Sequence, residues 1–234
     1  MPNAVITGGT QGIGKAIAER FLSEGYSVAI CARTQKDLNA VQDEWERYYA
    51  DENIITYKAD LSKKEEVKAF AQHVLHRFKT IDVLVNNAGL FYPGLLATEP
   101  EGQLEKLMEI NMYSAYHLTR ALLPKMKEQG SGHIFNMSSV AGLKAYPNGG
   151  AYGITKYAMM GFSENLRYEL KDEGIKVSSI CPGATNSRSW EGAGIDPDRI
   201  MDAKDVADIV WASYNLSSKA DVETIVIRPQ KGDL

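Results

Sequence analysis

Eight residues near the amino terminus, 7–14 (TGGTQGIG), constrain the fold of this chain more than any other stretch. They follow the apolar run 4–6, which predicts a buried strand, and precede apolar residues at helical spacing over 15–22. Glycines in such a turn let the backbone approach a pyrophosphate, and the start of the helix offers that anion free N–H groups. The glycine spacing G-x-x-x-G-x-G differs from the usual dinucleotide fingerprint G-x-G-x-x-G, so a plain strand-to-helix turn stays open at this point.

Apolar runs and amphipathic helical patterns alternate along the rest of the chain. This regular alternation predicts one parallel sheet with helices on both faces, a three-layer α/β/α arrangement of the Rossmann type. No linker or repeat interrupts it, so residues 1–234 are expected to form one nucleotide-binding domain that includes the catalytic site. Capping boxes predict two helix starts, Ser62 with Glu65 and Thr98 with Glu101. The predicted strands lie at 4–6, 27–31, 54–58, 83–86, 133–137, 176–181 and 223–228.

Composition excludes several functional classes. The net charge is −4, so no basic surface argues for nucleic acid, and no apolar run approaches the roughly 20 residues of a membrane span. Because the first strand begins by residue 4, no signal or transit peptide is expected. Cys31 and Cys181 each end an apolar strand, which predicts buried reduced thiols and a cytoplasmic protein, with a disulfide as the open alternative. The 4 histidines form no metal-ligand cluster, so no metal is expected.

Tyr152 and Lys156 carry the clearest chemical signal. They lie four residues apart in a predicted helix, so both side chains face the same way. A neighbouring ammonium is expected to lower the pKa of the phenol below its ordinary value of roughly 10, which suits proton exchange with an alcohol or carbonyl. Further polar groups follow the strands at the sheet edge where ligands bind, in Ser138-Ser139 and Asn86-Asn87.

Together these motifs resemble the short-chain dehydrogenase/reductase family in its single-domain branch, over nearly the whole chain. The resemblance implies an NAD(P)-binding Rossmann domain and an oxidoreductase that interconverts a carbonyl and a secondary alcohol by hydride transfer. It also implies a catalytic set of Asn111, Ser139, Tyr152 and Lys156. The shared motifs are TGxxxGxG at 7–14, Asp60, NNAG at 86–89, Asn111, Ser139, YxxxK at 152–156 and the Pro-Gly pair at 182–183.

The resemblance assigns a role to each member of the catalytic set. Tyr152 is expected to be the general acid in reduction and the general base in oxidation. Lys156 is expected to lower the tyrosine pKa and to hydrogen-bond the nicotinamide ribose. Ser139, thirteen residues before the tyrosine as in the family, is preferred over Ser138 as the donor to the substrate oxygen. Asn111 is expected to hold a water that links Lys156 to solvent.

The end of the second strand predicts the cofactor. An NAD-specific fold places an acid there, whereas here Ala32 occupies that position and Arg33, a good phosphate ligand, follows it. Asp37 is expected to point away on the next helix. NADP(H) is therefore expected to be preferred, with NAD(H) possible because Gln11 stands where the family often has a second basic residue. The residues expected to bind the cofactor are Gly8, Thr10, Gln11, Gly12, Ile13, Gly14, Arg33, Thr34, Asp60, Leu61, Asn87, Ala88, Gly89, Tyr152, Lys156, Pro182, Gly183, Thr185 and Ser187.

The substrate stays open at this stage. Thr185 and Ser187 replace the valine and threonine of the family's P-G-x-V-x-T motif, and the chain lacks the glycine-rich tail of many bacterial members. A short substrate loop is expected at about 187–202, with Gly192 and Gly194 as hinges. A 3-oxoacyl thioester, a hydroxy acid, a steroid-like ketone and a small carbonyl are all open. The expected pocket residues are Leu90, Phe91, Tyr92, Leu143, Tyr146 and Trp190, with Lys144 and Arg188 as candidate carboxylate ligands.

Two other functions compete with a dehydrogenase. A cofactor-binding sensor or scaffold with this fold usually loses the tyrosine or the lysine, and this chain keeps both. A sugar-nucleotide epimerase or dehydratase shares YxxxK but needs a larger carboxyl-terminal domain than the residues after Pro182 allow. The expected partners are a small-molecule substrate and further copies of the chain. By resemblance, a homotetramer or homodimer forms through the long helices near 103–128 and 152–173, without nucleic acid or membrane.

Overall fold

The computed structural model describes residues 1–187 and 194–233. Its strands form one parallel sheet whose members match the seven predicted from apolar runs, each end lying within about one or two residues of its predicted position. This confirms the predicted fold class. The strands are β1 (Asn3–Thr7), β2 (Ser27–Ala32), β3 (Ile54–Lys58), β4 (Val83–Asn86), β5 (Gly132–Met137), β6 (Ile175–Pro182) and β7 (Thr224–Ile227).

Helices connect successive strands. The long helix predicted after β4 is interrupted, because a π-helical turn at Glu109–Tyr113 joins two α-helices there. The α-helices of the described chain are α1 (Gly12–Ser23), α2 (Gln35–Trp45), α3 (Lys64–Arg77), α4 (Gln103–Met108), α5 (Ser114–Gln129), α6 (Gly150–Leu170) and α7 (Ala203–Tyr214).

Two apolar layers cover the faces of the sheet. On one face α1, α2 and α7 pack through residues such as Phe21, Trp45 and Val210, and on the other α3, α5 and α6 pack through Phe70 and Leu118. Every residue of β1 is buried, because successive side chains alternate between these two layers. Strands covered on both faces read as continuous apolar runs, which is why the sequence reveals them.

The strand order β3-β2-β1-β4-β5-β6-β7 reverses between β1 and β4. Connections on the two sides of this switch point leave in opposite directions, so a crevice opens above the carboxyl ends of the central strands. The glycine turn after β1 and the NNAG motif after β4 meet at this crevice. The fold therefore brings together the motifs that are separated in sequence by about eighty positions.

Both predicted capping boxes are wrong. The N-cap of α3 is Lys63, while the Ser62 hydroxyl donates to Asp60 Oδ1 at 2.8 Å. The N-cap of α4 is Gly102, at φ 80°, so Thr98 and Glu101 lie ahead of the helix that they are predicted to open. Ser62 thus bonds within the loop and does not cap α3, and Thr98 lies in the loop too far ahead of α4 to cap it.

The two cysteines are free and fully buried, which confirms the prediction of buried thiols. Burial raises the pKa of the Cys31 thiol to about 12 and that of Cys181 to about 11. None of the helices described here combines the length and the apolar character that a membrane crossing requires.

Candidate active site

One cavity of about 910 Å³ opens at the carboxyl edge of the sheet, above the switch point. Every residue predicted to bind the cofactor lines it, as do Ser139, Tyr152 and Lys156. A concave site of this size fits a cofactor together with a small substrate. The structure thus gathers the predicted residues at one place, with Asn111 buried directly behind the wall.

The glycine turn is held in shape by the NNAG motif. Asn87 Nδ2 donates to the Thr7 carbonyl at 2.8 Å, and Thr7 Oγ1 accepts from the N–H groups of Asn87 and Ala88 at 2.9 Å each. Gly14 has no room for a side chain, because a Cβ there would lie 2.3 Å from the Gly8 carbonyl oxygen and 2.4 Å from Asn87 Nδ2. The glycine turn and the NNAG motif can therefore pack this closely only with glycine at position 14.

The start of α1 is suited to an anion. The N-cap Gln11 makes no side-chain capping bond within the described structure, and the first residues of the helix, Gly12 to Gly14, line the cavity. Gly12 has φ 52°, and the absence of a side chain there lets a ligand approach the backbone closely. Ser187 is a near neighbour, because its Cβ lies 3.2 Å from the position that a Cβ on Gly12 would take. A pyrophosphate fits this bare, positively polarised turn, which supports the presence of a dinucleotide site.

The turn after β2 forms the other end of the cavity. Ala32, Arg33 and Thr34 line it, as predicted, but so does Asp37. The expectation that Asp37 points away is therefore wrong, because Asp37, in the first turn of α2, is part of the cavity wall. Partial burial raises the pKa of Asp60, but hydrogen bonds from Ser62 and the charges of Lys63 and Arg33 outweigh it and hold the pKa below its usual value.

Tyr152, Lys156 and Ser139 form the chemical centre of the cavity. Tyr152 and Lys156 lie in α6, and Lys156 Nζ is 5.5 Å from the centre of the tyrosine ring. Lys156 Nζ donates to the Met137 carbonyl at 2.8 Å. Ser139 follows β5, accepts from the Ala141 N–H at 3.2 Å and donates weakly to the Pro182 carbonyl at 3.4 Å. Its hydroxyl also contacts the phenol of Tyr152.

The predicted lowering of the tyrosine pKa is wrong for this structure. Desolvation raises the pKa of Tyr152 to about 12, although the hydrogen bond with Ser139 opposes the shift. Desolvation likewise lowers the pKa of Lys156 to about 8. Burial disfavours both charged forms here and outweighs the attraction that helical spacing suggests. At neutral pH the phenol is therefore a proton donor, beside a lysine that is largely an ammonium.

Asn111 braces the site from the π-helical turn. Its Oδ1 accepts from the Leu90 N–H at 2.7 Å, and its Nδ2 donates to the Leu90 carbonyl at 2.9 Å and to Thr155 Oγ1 at 3.0 Å. Both amide hydrogens are thus committed to protein. The water-holding role of Asn111 stays a prediction, and the observed contacts tie the loop after β4 to the helix of Tyr152.

Sequence reasoning missed two residues that position the catalytic helix. Gly142 lets the turn after β5 pack on α6, because a Cβ there would lie 2.6 Å from Ser138 Oγ and 2.7 Å from the Lys156 carbonyl oxygen. Thr155 Oγ1 links Asn111 to α6 by donating to the Tyr152 carbonyl at 2.8 Å. The spacing of Thr155 from Tyr152 was available as a signal, whereas nothing local marks Gly142.

The substrate side of the cavity is only partly as predicted. Leu90, Phe91, Lys144 and Tyr146 line it, and the Phe91 ring meets the Tyr152 ring edge-on at 4.8 Å. Tyr92 and Leu143 lie outside its wall as exposed side chains. The predicted contributions of Arg188, Trp190 and Gly192 fall outside the described residues, as does most of the first half of the expected substrate loop.

The carboxyl-terminal segment adds an unpredicted wall. After β7 the chain turns back, so that Asp233 Oδ1 lies 3.1 Å from where a side chain on Gly183 would begin. Arg228 and Asp233 form an ion pair, and both residues line the cavity. A short charged turn therefore forms part of the cavity wall, although the chain lacks the glycine-rich tail that is expected to close the site in many family members.

Comparisons with known proteins identify the family of this chain. A family model described as short chain dehydrogenase matches residues 2–196. An uncharacterized oxidoreductase of Staphylococcus epidermidis is 30% identical over 226 residues, covering 97% of this chain and 96% of that protein. An NADP-dependent 3-hydroxy acid dehydrogenase of Salmonella typhimurium is 30% identical over 241 residues, covering 96% and 94%.

A solved structure gives the same result. The alcohol dehydrogenase of the archaeon Thermococcus sibiricus, complexed with 5-hydroxy-NADP, superposes with a TM-score of 0.90 at 28% sequence identity, covering 98% of this chain and 97% of that one. This chain belongs to the short-chain dehydrogenase family of oxidoreductases.

Proposed function

We propose that this chain is an NADP(H)-dependent oxidoreductase that interconverts a carbonyl and a secondary alcohol, with Tyr152 as general acid and base. The observation that carries the proposal is the convergence of Ser139, Tyr152 and Lys156 on the same cavity as the bare glycine turn and Arg33. The choice of cofactor is supported by the NADP-dependent Salmonella relative and by the archaeal alcohol dehydrogenase, whose structure contains 5-hydroxy-NADP.

When bound, NADPH would supply the hydride that the carbonyl carbon receives. The chain's own residues handle the oxygen and the proton. Ser139 donates a hydrogen bond to the carbonyl oxygen and so stabilises the negative charge that develops there. Tyr152, whose raised pKa keeps it protonated, donates its proton to that oxygen. The carbonyl thereby gains a hydride and a proton and becomes an alcohol, and a phenolate remains on Tyr152.

Lys156 has two roles, one in the proton transfer from Tyr152 and one in binding the cofactor. Its ammonium lies beside the tyrosine ring and stabilises the phenolate as it forms, until the phenolate takes up a proton from solvent and becomes a phenol again. It is also the residue that would hold the nicotinamide ribose, while the start of α1 would hold the pyrophosphate and Arg33 the 2′-phosphate. In the oxidising direction the same groups act in reverse, and Tyr152 then accepts the alcohol proton.

The experiment is turnover of NADPH by the purified chain with diones, 3-oxo esters and 3-oxo acids, with the alcohol product identified. The matched pair Ser139→Ala and Ser138→Ala tests the assignment of the serine. Ser139→Ala should lower kcat by about a hundredfold. The Ser138 hydroxyl donates to the Lys156 backbone carbonyl at 3.1 Å. Ser138→Ala should therefore keep most activity. NADPH binding without turnover of any carbonyl would instead favour the sensor.

A further inference from the structure

The loop between β4 and α4 is fastened to the catalytic helix along its length. At its start Asn111 holds both backbone groups of Leu90. In its middle the Gly94 N–H donates to the Asn148 carbonyl at 3.0 Å, just ahead of α6. Near its end Glu99 Oε2 accepts from the Ala151 N–H at 3.1 Å. The last contact reaches the residue directly before Tyr152.

Glu99 supplies what the start of α6 lacks. The N-cap of this helix is Gly149, which has no side chain to accept from the first N–H groups. Ala151 is fully buried in the presence of Glu99, so its N–H depends on this acceptor and not on solvent. The carboxylate also stands at the positive end of the helix dipole, where an anion is favoured. A side chain on Gly150 would lie 2.8 Å from Glu99 Oε2, which shows how closely the acid is seated.

We propose that Glu99 is a positioning residue for Tyr152, acting through the first turn of α6. Its carboxylate oxygen fixes Ala151, and the loop that carries Glu99 also presents Phe91 edge-on to the Tyr152 ring. Backbone and ring of the tyrosine are thus held by one loop. This proposal rests on the proposed function, because the effect of misplacing Tyr152 is seen in the reduction that it catalyses.

Two substitutions of Glu99 separate the effect of its charge from the effect of its hydrogen bond to Ala151. Glu99→Gln keeps an amide oxygen that accepts from Ala151, whereas Glu99→Ala removes the acceptor. Glu101 is the matched control, since it is an exposed acid two residues along the same loop. We expect Glu99→Ala to lower kcat about tenfold. We expect Glu99→Gln and Glu101→Ala to stay within about twofold of the wild type, because both keep the acceptor oxygen.

Two measurements separate positioning from a general loss of structure. NADPH affinity, followed by fluorescence titration, should fall much less than kcat in Glu99→Ala, because most of the residues predicted to bind the cofactor lie outside α6. Hydrogen exchange of the backbone around Ala151 should accelerate in Glu99→Ala alone. This second measurement needs no turnover, so it tests the contact even if the wild type reduces no carbonyl and the proposed function fails.

Three results would overturn the proposal. The first is wild-type kcat and exchange in Glu99→Ala. The second is an equal loss of kcat in Glu99→Gln, which would exclude the acceptor oxygen as the cause. The third is a loss of kcat accompanied by an equal loss of NADPH affinity, which would indicate general disruption of the cavity. A selective fall in kcat, with exchange rising only around Ala151, would support it.

Discussion

Replacing Arg33 with alanine removes the guanidinium that the turn after β2 presents to the cavity. A hydrogen bond between charged groups contributes about 1.5–3 kcal/mol. Arg33 is exposed, and the carboxylates of Asp37 and Asp60 line the same end of the cavity, so the lower value applies. About 1.5 kcal/mol corresponds to roughly a tenfold change. We therefore expect Arg33→Ala to lower the ratio of kcat/KM for NADPH over NADH about tenfold.

The assay is initial-rate kinetics with both cofactors at fixed carbonyl substrate. Lys36→Ala is the matched control, because it removes the same charge from an exposed neighbour outside the cavity wall and should leave the ratio unchanged. Ala32→Asp should shift the ratio toward NADH by placing a carboxylate against the 2′-phosphate. A wild type that prefers NADH, or an unchanged ratio in Arg33→Ala, would refute the reasoning.

Three further predictions follow from the same site and fold. Lys156→Ala should lower kcat and raise KM for NADPH together, because the ammonium is expected to serve both; an unchanged KM would exclude the ribose contact. The kcat/KM for reduction should be level below neutral pH and fall above about pH 8, as Lys156 loses its proton while Tyr152 keeps its own until about pH 12; a level profile to pH 10 would contradict this. Light scattering should show a dimer or tetramer, since Tyr157 and Tyr168 are exposed on α6, and a monomer at micromolar concentration would exclude it.

The strands were predictable because parallel strands buried on both faces are continuous apolar runs. Val83 to Asn86, for example, is both predicted and observed without change. The motifs at the ends of β1, β4, β5 and β6 were also predictable as neighbours, because parallel strands bring their carboxyl ends to one edge. Local pattern and tertiary structure agree at these positions.

Contacts between distant segments were not predictable from local patterns. The loop before α4 contains an acid that caps a helix, but Glu99 caps α6, about fifty positions later, and not the helix that follows it.

The prediction of a lowered pKa for Tyr152 fails for a related reason. Helical spacing shows that Lys156 is near Tyr152, but the cost of burying both groups depends on walls contributed by the whole fold. Asp37 lines the cavity because of how α2 packs in the fold, which the helical pattern alone does not reveal.

The most direct test of the central claim is the phenolic proton of Tyr152. Tyr152→Phe removes one hydroxyl group and keeps the ring that packs against Phe91. The measurement is kcat for carbonyl reduction together with NADPH affinity by fluorescence titration, in the variant and the wild type. Our account predicts a fall in kcat of about a thousandfold or more, with NADPH affinity within about twofold of the wild type. A variant that reduces the same carbonyl at a rate within a few-fold of the wild type would contradict it.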